Sequence, residues 1–233
     1  MGRSARHAAF FRFWSPAMAY VLGYWWADGY MRIKSSGAHI IEFASVDYGH
    51  LLLIASAIGE KYDLRKIKAN EACYGMEFCS KQMYYDLLTL GGMPNKSNVI
   101  GFPDIPPELL VHFVRGFVDG DGTLAWNGDR PILQIYSGSR QLLADMAHAI
   151  KVQIGIPAPN VIANRKLWNI KWSTTRAKCL AAWLYHDNPG LALDRKAAIA
   201  ADFLNWQPRK LPHTGTITAE MRVRFAAYLP AEE

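Results

Sequence analysis

The sequence predicts an α+β protein made of two similar halves. One pattern of residues occurs twice, the same succession of helix-like and strand-like stretches follows each copy, and a proline-rich connection separates the two. Residues 20–31 read Tyr-Val-Leu-Gly-Tyr-Trp-Trp-Ala-Asp-Gly-Tyr-Met, and residues 113–124 read Phe-Val-Arg-Gly-Phe-Val-Asp-Gly-Asp-Gly-Thr-Leu. In register, Gly23 matches Gly116, Tyr24 matches Phe117, Ala27 matches Gly120, Asp28 matches Asp121 and Gly29 matches Gly122. The offset is 121 − 28 = 93 residues.

After the first copy come strand-like stretches at 30–34 and 39–46 and a helix-like stretch at 48–58. Arg65, Lys66 and Lys68 fall on an expected third strand, and the alternating stretch 73–79 precedes a helix at 83–90 and the string Gly92-Met93-Pro94-Asn95-Lys96-Ser97. After the second copy come strands at 123–127 and 131–136, a helix at 141–154 and an alternating stretch at 168–172. A helix at 177–185 and the string Leu193-Asp194-Arg195-Lys196 complete that half. Each half therefore reads helix, two strands, helix, two strands, helix. The connection Gly101-Phe102-Pro103-Asp104-Ile105-Pro106-Pro107 marks the boundary, giving halves at 1–104 and 105–206. A tail, 207–233, carries Arg209 and Lys210, ends in a short helix near 218–228, and has no counterpart in the first half.

Composition narrows the class of function. Of 233 residues, 51% are apolar and 20% charged, which describes a folded, soluble chain. Lys and Arg number 26 against 20 Asp and Glu, and the net charge of +6 favours a polyanionic partner. The three cysteines, Cys73, Cys79 and Cys179, form no CxxC pair and have no His at zinc spacing, so reduced thiols in an intracellular compartment are expected. No apolar run approaches the roughly 18 residues of a membrane span, and the basic, aromatic N-terminus lacks a signal-peptide h-region. The expected setting is the cytoplasm or nucleoid of a prokaryote or an organelle matrix, with no membrane partner. The seven His show no metal-ligand spacing and read as core or surface residues.

The repeated helix carries the chemistry. Gly23 and Ala27, like Gly116 and Gly120, stand four apart, so each helix presents a smooth groove by which the two approach closely. Gly29 and Gly122 then suit the left-handed residue that ends a helix. Asp28 and Asp121 fall at helix C-termini, where the macrodipole is already negative and each carboxylate is disfavoured by up to about 1 kcal/mol. If the helices pair about a pseudo-two-fold axis the two acids also repel, and a divalent cation with a taste for hard oxygen, Mg²⁺, is the simplest remedy.

On these residues the chain resembles the LAGLIDADG homing endonucleases. Residues 21–29 and 114–122 look like two copies of that motif, the second close to ideal and the first departing at Trp26, where the motif has its earlier Asp. The resemblance covers roughly 18–205. It implies two pseudo-symmetric αββαββα subdomains whose four-stranded antiparallel sheets form a DNA-binding saddle around two central packed helices. It also implies metal held by Asp28 and Asp121 with main-chain help from Ala27 and Gly120, Asp119 being left to structural hydrogen bonds. Lys96 and Lys196, 96 − 28 = 68 and 196 − 121 = 75 residues after their motif acids, match the basic residues that order solvent near each site. The implied activity is hydrolysis of both strands of a long, non-palindromic duplex by a monomer, leaving 3′ overhangs. Mg²⁺ would support it, Mn²⁺ would substitute, and Ca²⁺ would bind without supporting cleavage.

Base reading in such an architecture falls to strand side chains of period two. The expected DNA contacts are Arg32 and Lys34, which share a face, and Arg65, Lys66 and Lys68 in the first half. In the second half they are Asn127, Arg130, Gln134 and Tyr136, together with Asn164, Lys166, Asn169 and Lys171. The alternatives are a maturase bound to intron RNA and a catalytically idle DNA-binding protein on the same fold. Retention of both acids keeps cleavage chemically available.

Overall fold

Ser15 opens the first long helix by accepting a hydrogen bond from the Met18 amide at 3.1 Å, and Pro16 supplies a preset first turn. This helix, α1 (Pro16–Asp28), is buried at every position from Met18 to Trp26, so it lies inside its unit rather than on its surface. In this computed structural model residues 8–59, 64–66, 73–188, 190–208 and 217–229 are described. Lys68, Arg209 and Lys210 lie outside them.

The chain divides into two compact units, Met1–Gly120 and Asp121–Glu233. In the first, α1 leads into β1 (Gly29–Ile33) and β2 (His39–Ser45). Then follow α2 (Tyr48–Ile58), β3 (Arg65–Lys66), β4 (Tyr74–Cys79), α3 (Lys81–Thr89) and α4 (Leu110–Asp121). The second contains β5 (Gly122–Asn127), β6 (Arg130–Ser137), α5 (Arg140–Ile154), β7 (Ile162–Asn164) and β8 (Leu167–Ser173). It continues with α6 (Thr174–Ala181), α7 (Asp194–Leu204) and α8 (Ala219–Arg224). Each unit holds one four-stranded antiparallel sheet, and the strand orders, β1-β2-β4-β3 and β5-β6-β8-β7, are the same. Alternation does what period two requires: Met31, Ile41, Phe43, Met76 and Phe78 are buried on one face of the first sheet, and Leu124, Leu133, Ile135, Ile170 and Trp172 on one face of the second.

The helix of the second copy, all but its last residue, packs in the first unit against α1, and glycine is the reason. A Cβ on Gly23 would stand 2.0 Å from the Phe113 carbonyl oxygen, and one on Gly116 would stand 2.0 Å from that of Tyr20. Backbone meets backbone there with no room for a methyl group. At the C-terminal ends, a Cβ on Gly120 would come within 2.5 Å of the Ala27 Cβ and 3.3 Å of Asp28 Oδ2.

Four expectations need correction. Gly29 is extended (φ −83°), not left-handed, and Gly122 has no positive φ either; both start strands directly from the helix. Gly29 is small for another reason, since a Cβ would lie 2.1 Å from the Trp25 ring. On the described part of the third strand Arg65 pairs with Gly75 and Lys66 with Tyr74, so their side chains leave opposite faces. Lys166 sits in the turn between β7 and β8 rather than on a strand. The helix expected at 177–185 starts at Thr174 and passes at Ala182–His186 into a π-helical turn, in which Trp183 is buried. Among the described residues no helix is long and apolar enough to cross a membrane, and all three cysteines are free.

Gly23→Ala and Gly116→Ala should each destabilise the protein by about 3 kcal/mol, a melting shift of roughly 6–12 °C. Gly49→Ala, in α2 with nothing within 4 Å of its would-be Cβ, should be neutral or slightly stabilising. Thermal melts of the three variants check this, and equal shifts would contradict the close-approach account.

Candidate functional site

Asp28 is the last residue of α1 and is exposed; Ala27 beside it is half-buried. Beneath them lies Lys96, only 5% exposed. Its ammonium donates to the Trp26 carbonyl at 2.8 Å and to the Ala27 carbonyl at 3.1 Å, and stands 5.2 Å over the Trp25 ring. A buried ammonium is tolerable only when its donors are used and its charge is met, and here two carbonyls at the negative end of a helix and an aromatic face do so. The loop that delivers it turns through Gly91 (φ 95°) and Asn95 (φ 54°) before a short 3₁₀ turn, Lys96–Asn98. Gly92 keeps Trp25 in place, since a Cβ there would meet the indole at 3.0 Å.

The second unit repeats the arrangement with different parts. Asp121 ends α4 and is half-buried. Lys196, 4% exposed, donates to the Gly122 carbonyl at 2.7 Å. It rides on the first turn of α7 instead of a 3₁₀ turn, and Val118 takes the position that Trp25 has in the other copy. Each motif acid thus has a buried lysine bonded to main chain within two residues of it. Among the described residues no three His, Cys, Asp or Glu side chains are grouped to hold a metal ion. A cation at either acid would draw its other ligands from main-chain, solvent or substrate oxygens, a donor set that suits a hard ion.

Between α1 and α4 the two copies solve one packing problem in two ways. Tyr20 donates through its hydroxyl to Asp119 Oδ2 at 2.5 Å, and the same hydroxyl lies 3.1 Å from His50 Nε2. The positions related by the repeat are Phe113 (113 − 20 = 93) and Trp26 (119 − 26 = 93), and those rings meet edge to face at 6.1 Å. The first copy therefore lacks the motif's earlier acid where the facing residue lacks a hydroxyl. Trp26 instead bonds the Gly101 carbonyl through its indole N–H at 3.0 Å, tying α1 to the connection between the halves. Near this network Arg115, 1% exposed, lies over the Tyr20 ring and 2.8 Å from His112 Nδ1. Burial, then the Arg115 charge, pushes the His112 pKa down to about 4. Tyr24, buried beside Asp28, has its phenol pushed up first by burial and then by that carboxylate, and stays protonated.

The helix-free sheet faces carry most of the expected contacts. Asn127, Arg130, Gln134 and Tyr136 share one face with Asn164, Asn169 and Lys171, as the register demands. Asn169 is buried on that face, accepting from Gln134 Nε2 at 2.8 Å and donating to the Ile162 carbonyl at 3.1 Å. Arg32 and Lys34 share a face of the first sheet, but with company the strand pattern did not announce. Arg32 bonds Glu77 at 3.0 Å and lies 3.6 Å from Glu42, and Lys34 bonds Glu77 at 2.6 Å. Sequence reading missed Glu42, Glu77, Trp25, Tyr20 and His50. For the two glutamates alone a signal existed, the strand parity they share with Arg32.

No family description and no curated protein matches the sequence. Solved structures do. The fold is similar to that of the I-LtrWI LAGLIDADG homing endonuclease bound to target DNA, with a TM-score of 0.56 at 10% identity over 81% of this chain and 88% of that one. It is similar to I-DmoI in complex with DNA and Ca, with a TM-score of 0.55 at 14% identity over 80% and 97%. It is also similar to the N-terminal LAGLIDADG domain of DUF199/WhiA, with a TM-score of 0.51 at 16% identity over 84% and 98%. At such identities the likeness establishes the architecture: the chain has the two-subdomain fold of the LAGLIDADG homing endonucleases.

Tyr20→Phe, which deprives Asp119 of a donor, should cost about 2 kcal/mol. Trp26→Asp should cost about 4 kcal/mol or more, and adding Phe113→Tyr should recover part of that loss; a double-mutant cycle in denaturant checks the coupling. With its folded pKa depressed, His112 should contribute stability that is complete above about pH 6.5 and is lost as pH falls toward 4. Melting temperature against pH should show that slope, and His112→Gln should flatten it.

Proposed function

We propose that this chain is a metal-dependent endonuclease that hydrolyses both strands of a long, non-palindromic DNA duplex and acts as a monomer. The observation that supports it best is the duplicated set of an acid ending a motif helix and a buried lysine bonded to the adjoining main chain. Asp28 and Asp121 each end a motif helix, and within the first unit Gly120 lies against Ala27 and Asp28. The neighbours I-LtrWI and I-DmoI are bound to DNA, the latter with Ca. In this reading the halves 1–104 and 105–206 each supply one acid and one lysine, and the tail 207–233 stands outside both.

Asp28 and Asp121 would hold the cation, with Gly120 and Ala27 offering main-chain oxygen. The accessible carboxylates fit a hard ion, and Mg²⁺ when bound supplies an activated water and stabilises the leaving 3′ oxygen, giving 3′-hydroxyl and 5′-phosphate ends on staggered 3′ overhangs. Lys96 fixes the Ala27 carbonyl and keeps a positive charge one residue from Asp28, where it orders solvent and offsets the negative helix end. Lys196 does the same from the far side of Asp121 through Gly122. Asn127, Arg130, Gln134, Tyr136, Asn164, Asn169 and Lys171, with Lys166 in the adjoining turn, would face the duplex from the second half, and Arg32, Lys34 and Arg65 from the first, while Lys66 leaves the opposite sheet face. The sheets have unlike faces, which favours unlike half-sites and a target without strict symmetry.

Selection by cleavage from a randomised duplex library in Mg²⁺ tests the reading, and a wild-type chain that cuts no duplex refutes it. Against the recovered target, Asp28→Asn or Asp121→Asn should abolish double-strand cleavage with affinity in Ca²⁺ nearly unchanged. Lys96→Met or Lys196→Met should slow cleavage by roughly 10²–10⁴-fold.

A further inference from the structure

The described strands of the first sheet contain two acidic residues, Glu42 and Glu77, and both stand on the helix-free face, directly opposite one another across β2 and β4. The strands of the second sheet contain none. A surface made only to grip phosphates has no use for carboxylates, so their presence asks for a different ligand chemistry.

Their geometry shows what they do. Arg32 Nη2 donates to Glu77 Oε2 at 3.0 Å, Nη1 lies 3.6 Å from Glu42 Oε2, and the guanidinium sits 5.8 Å over the Tyr30 ring. Lys34 donates to the other Glu77 oxygen at 2.6 Å. The guanidinium is therefore held from three sides while its side chain stays 41% exposed. One of its five N–H groups is spent on Glu77, which leaves enough for a bidentate contact. The cluster holds two cations and two anions, so its formal charge is zero and it gives a phosphate little reason to approach.

We propose that Arg32, positioned by Glu77 and Glu42, reads one G·C base pair in the major groove of the half-site bound by the first unit; this rests on the duplex-DNA reading above. Guanine presents two neutral acceptors there, O6 and N7, which a fixed guanidinium meets in the plane, and its cytosine presents an N4 amino donor that a carboxylate accepts. Donors beside an acceptor on the protein thus match acceptors beside a donor on the base pair. An A·T pair presents the wrong order, with an amino group where O6 would be. Lysine cannot replace Arg32 in this role, because a single ammonium lacks the planar fork.

Affinity selection from a randomised duplex library in Ca²⁺ tests the proposal. The wild-type chain should enrich one G·C pair that Arg32→Lys relaxes on the order of ten- to hundredfold, and Glu77→Gln should weaken preference at that same position while others persist. Replacing that guanine by 7-deazaguanine, which lacks the N7 acceptor, should weaken wild-type binding about tenfold and leave Arg32→Ala binding unchanged, a readout that does not depend on how well any one variant folds. Preferences untouched by both substitutions, or a uniform loss of affinity with a salt slope reduced by about one, would overturn this proposal alone. A wild-type chain that enriches no sequence overturns the nuclease reading and this one with it.

Discussion

The contact between the backbones of α1 and α4 governs the rest of the molecule. Gly23 lies under the Phe113 carbonyl and Gly116 under the Tyr20 carbonyl, so neither position has space for a β-carbon. Helices that touch by backbone rather than by side chain are separated by less than the usual 8–10 Å spacing, and their relative position is set along the whole length of the pair. One consequence is that the second motif helix packs with the first unit although its sequence belongs to the second copy. Another is that Gly120, at the end of the pair, lies against Ala27 and Asp28.

Carboxylates at helix C-termini are an electrostatic burden, and the protein lessens it with its own cations before any metal is considered. From buried positions, where an ammonium is costly unless it is fully engaged, Lys96 reaches the last carbonyls of α1 and Lys196 the Gly122 carbonyl just beyond the end of α4. The two lysines arrive by different routes, one on a 3₁₀ turn and the other on the first turn of a helix. Convergence of unlike local structures on one arrangement is what a shared chemical requirement produces. The same holds inside the helix pair, where a tyrosine–aspartate hydrogen bond on one side answers to a phenylalanine–tryptophan contact on the other. Duplicated copies diverge in residue type, but each facing pair has to change together, because a lone carboxylate against an aromatic ring has no donor.

The sheets diverge more freely, since their helix-free faces are not bound by core packing. The second face mixes polar residues with Ala125, Ile132, Ile162 and Leu167, and its charges are Arg130 and Lys171. The first carries a cluster of paired charges, Arg32 and Lys34 against Glu42 and Glu77, with Arg65 on the same side. Faces so unlike cannot serve the same ligand surface, and on a duplex they would read different half-sites.

Much of this was legible from the linear chain. The 93-residue repeat, the alternating strands and the glycines four residues from a small neighbour are local patterns, and periodicity of 2 or 3.6 reports them directly. Asp28 and Asp121 could be singled out because an acid before glycine recurs at one helix position. What the chain alone left open depends on partners far apart in sequence: Lys96 and Trp26 are 70 residues apart, Tyr20 and Asp119 are 99, and Arg32 and Glu77 are 45. Gly29 shows the same limit, for its place after a helix pointed to a left-handed turn while the Trp25 ring packed over it explains why it is glycine. Near neighbours determine which stretches form helices and strands; strand register and helix approach determine which side chains meet, and those only the tertiary structure decides.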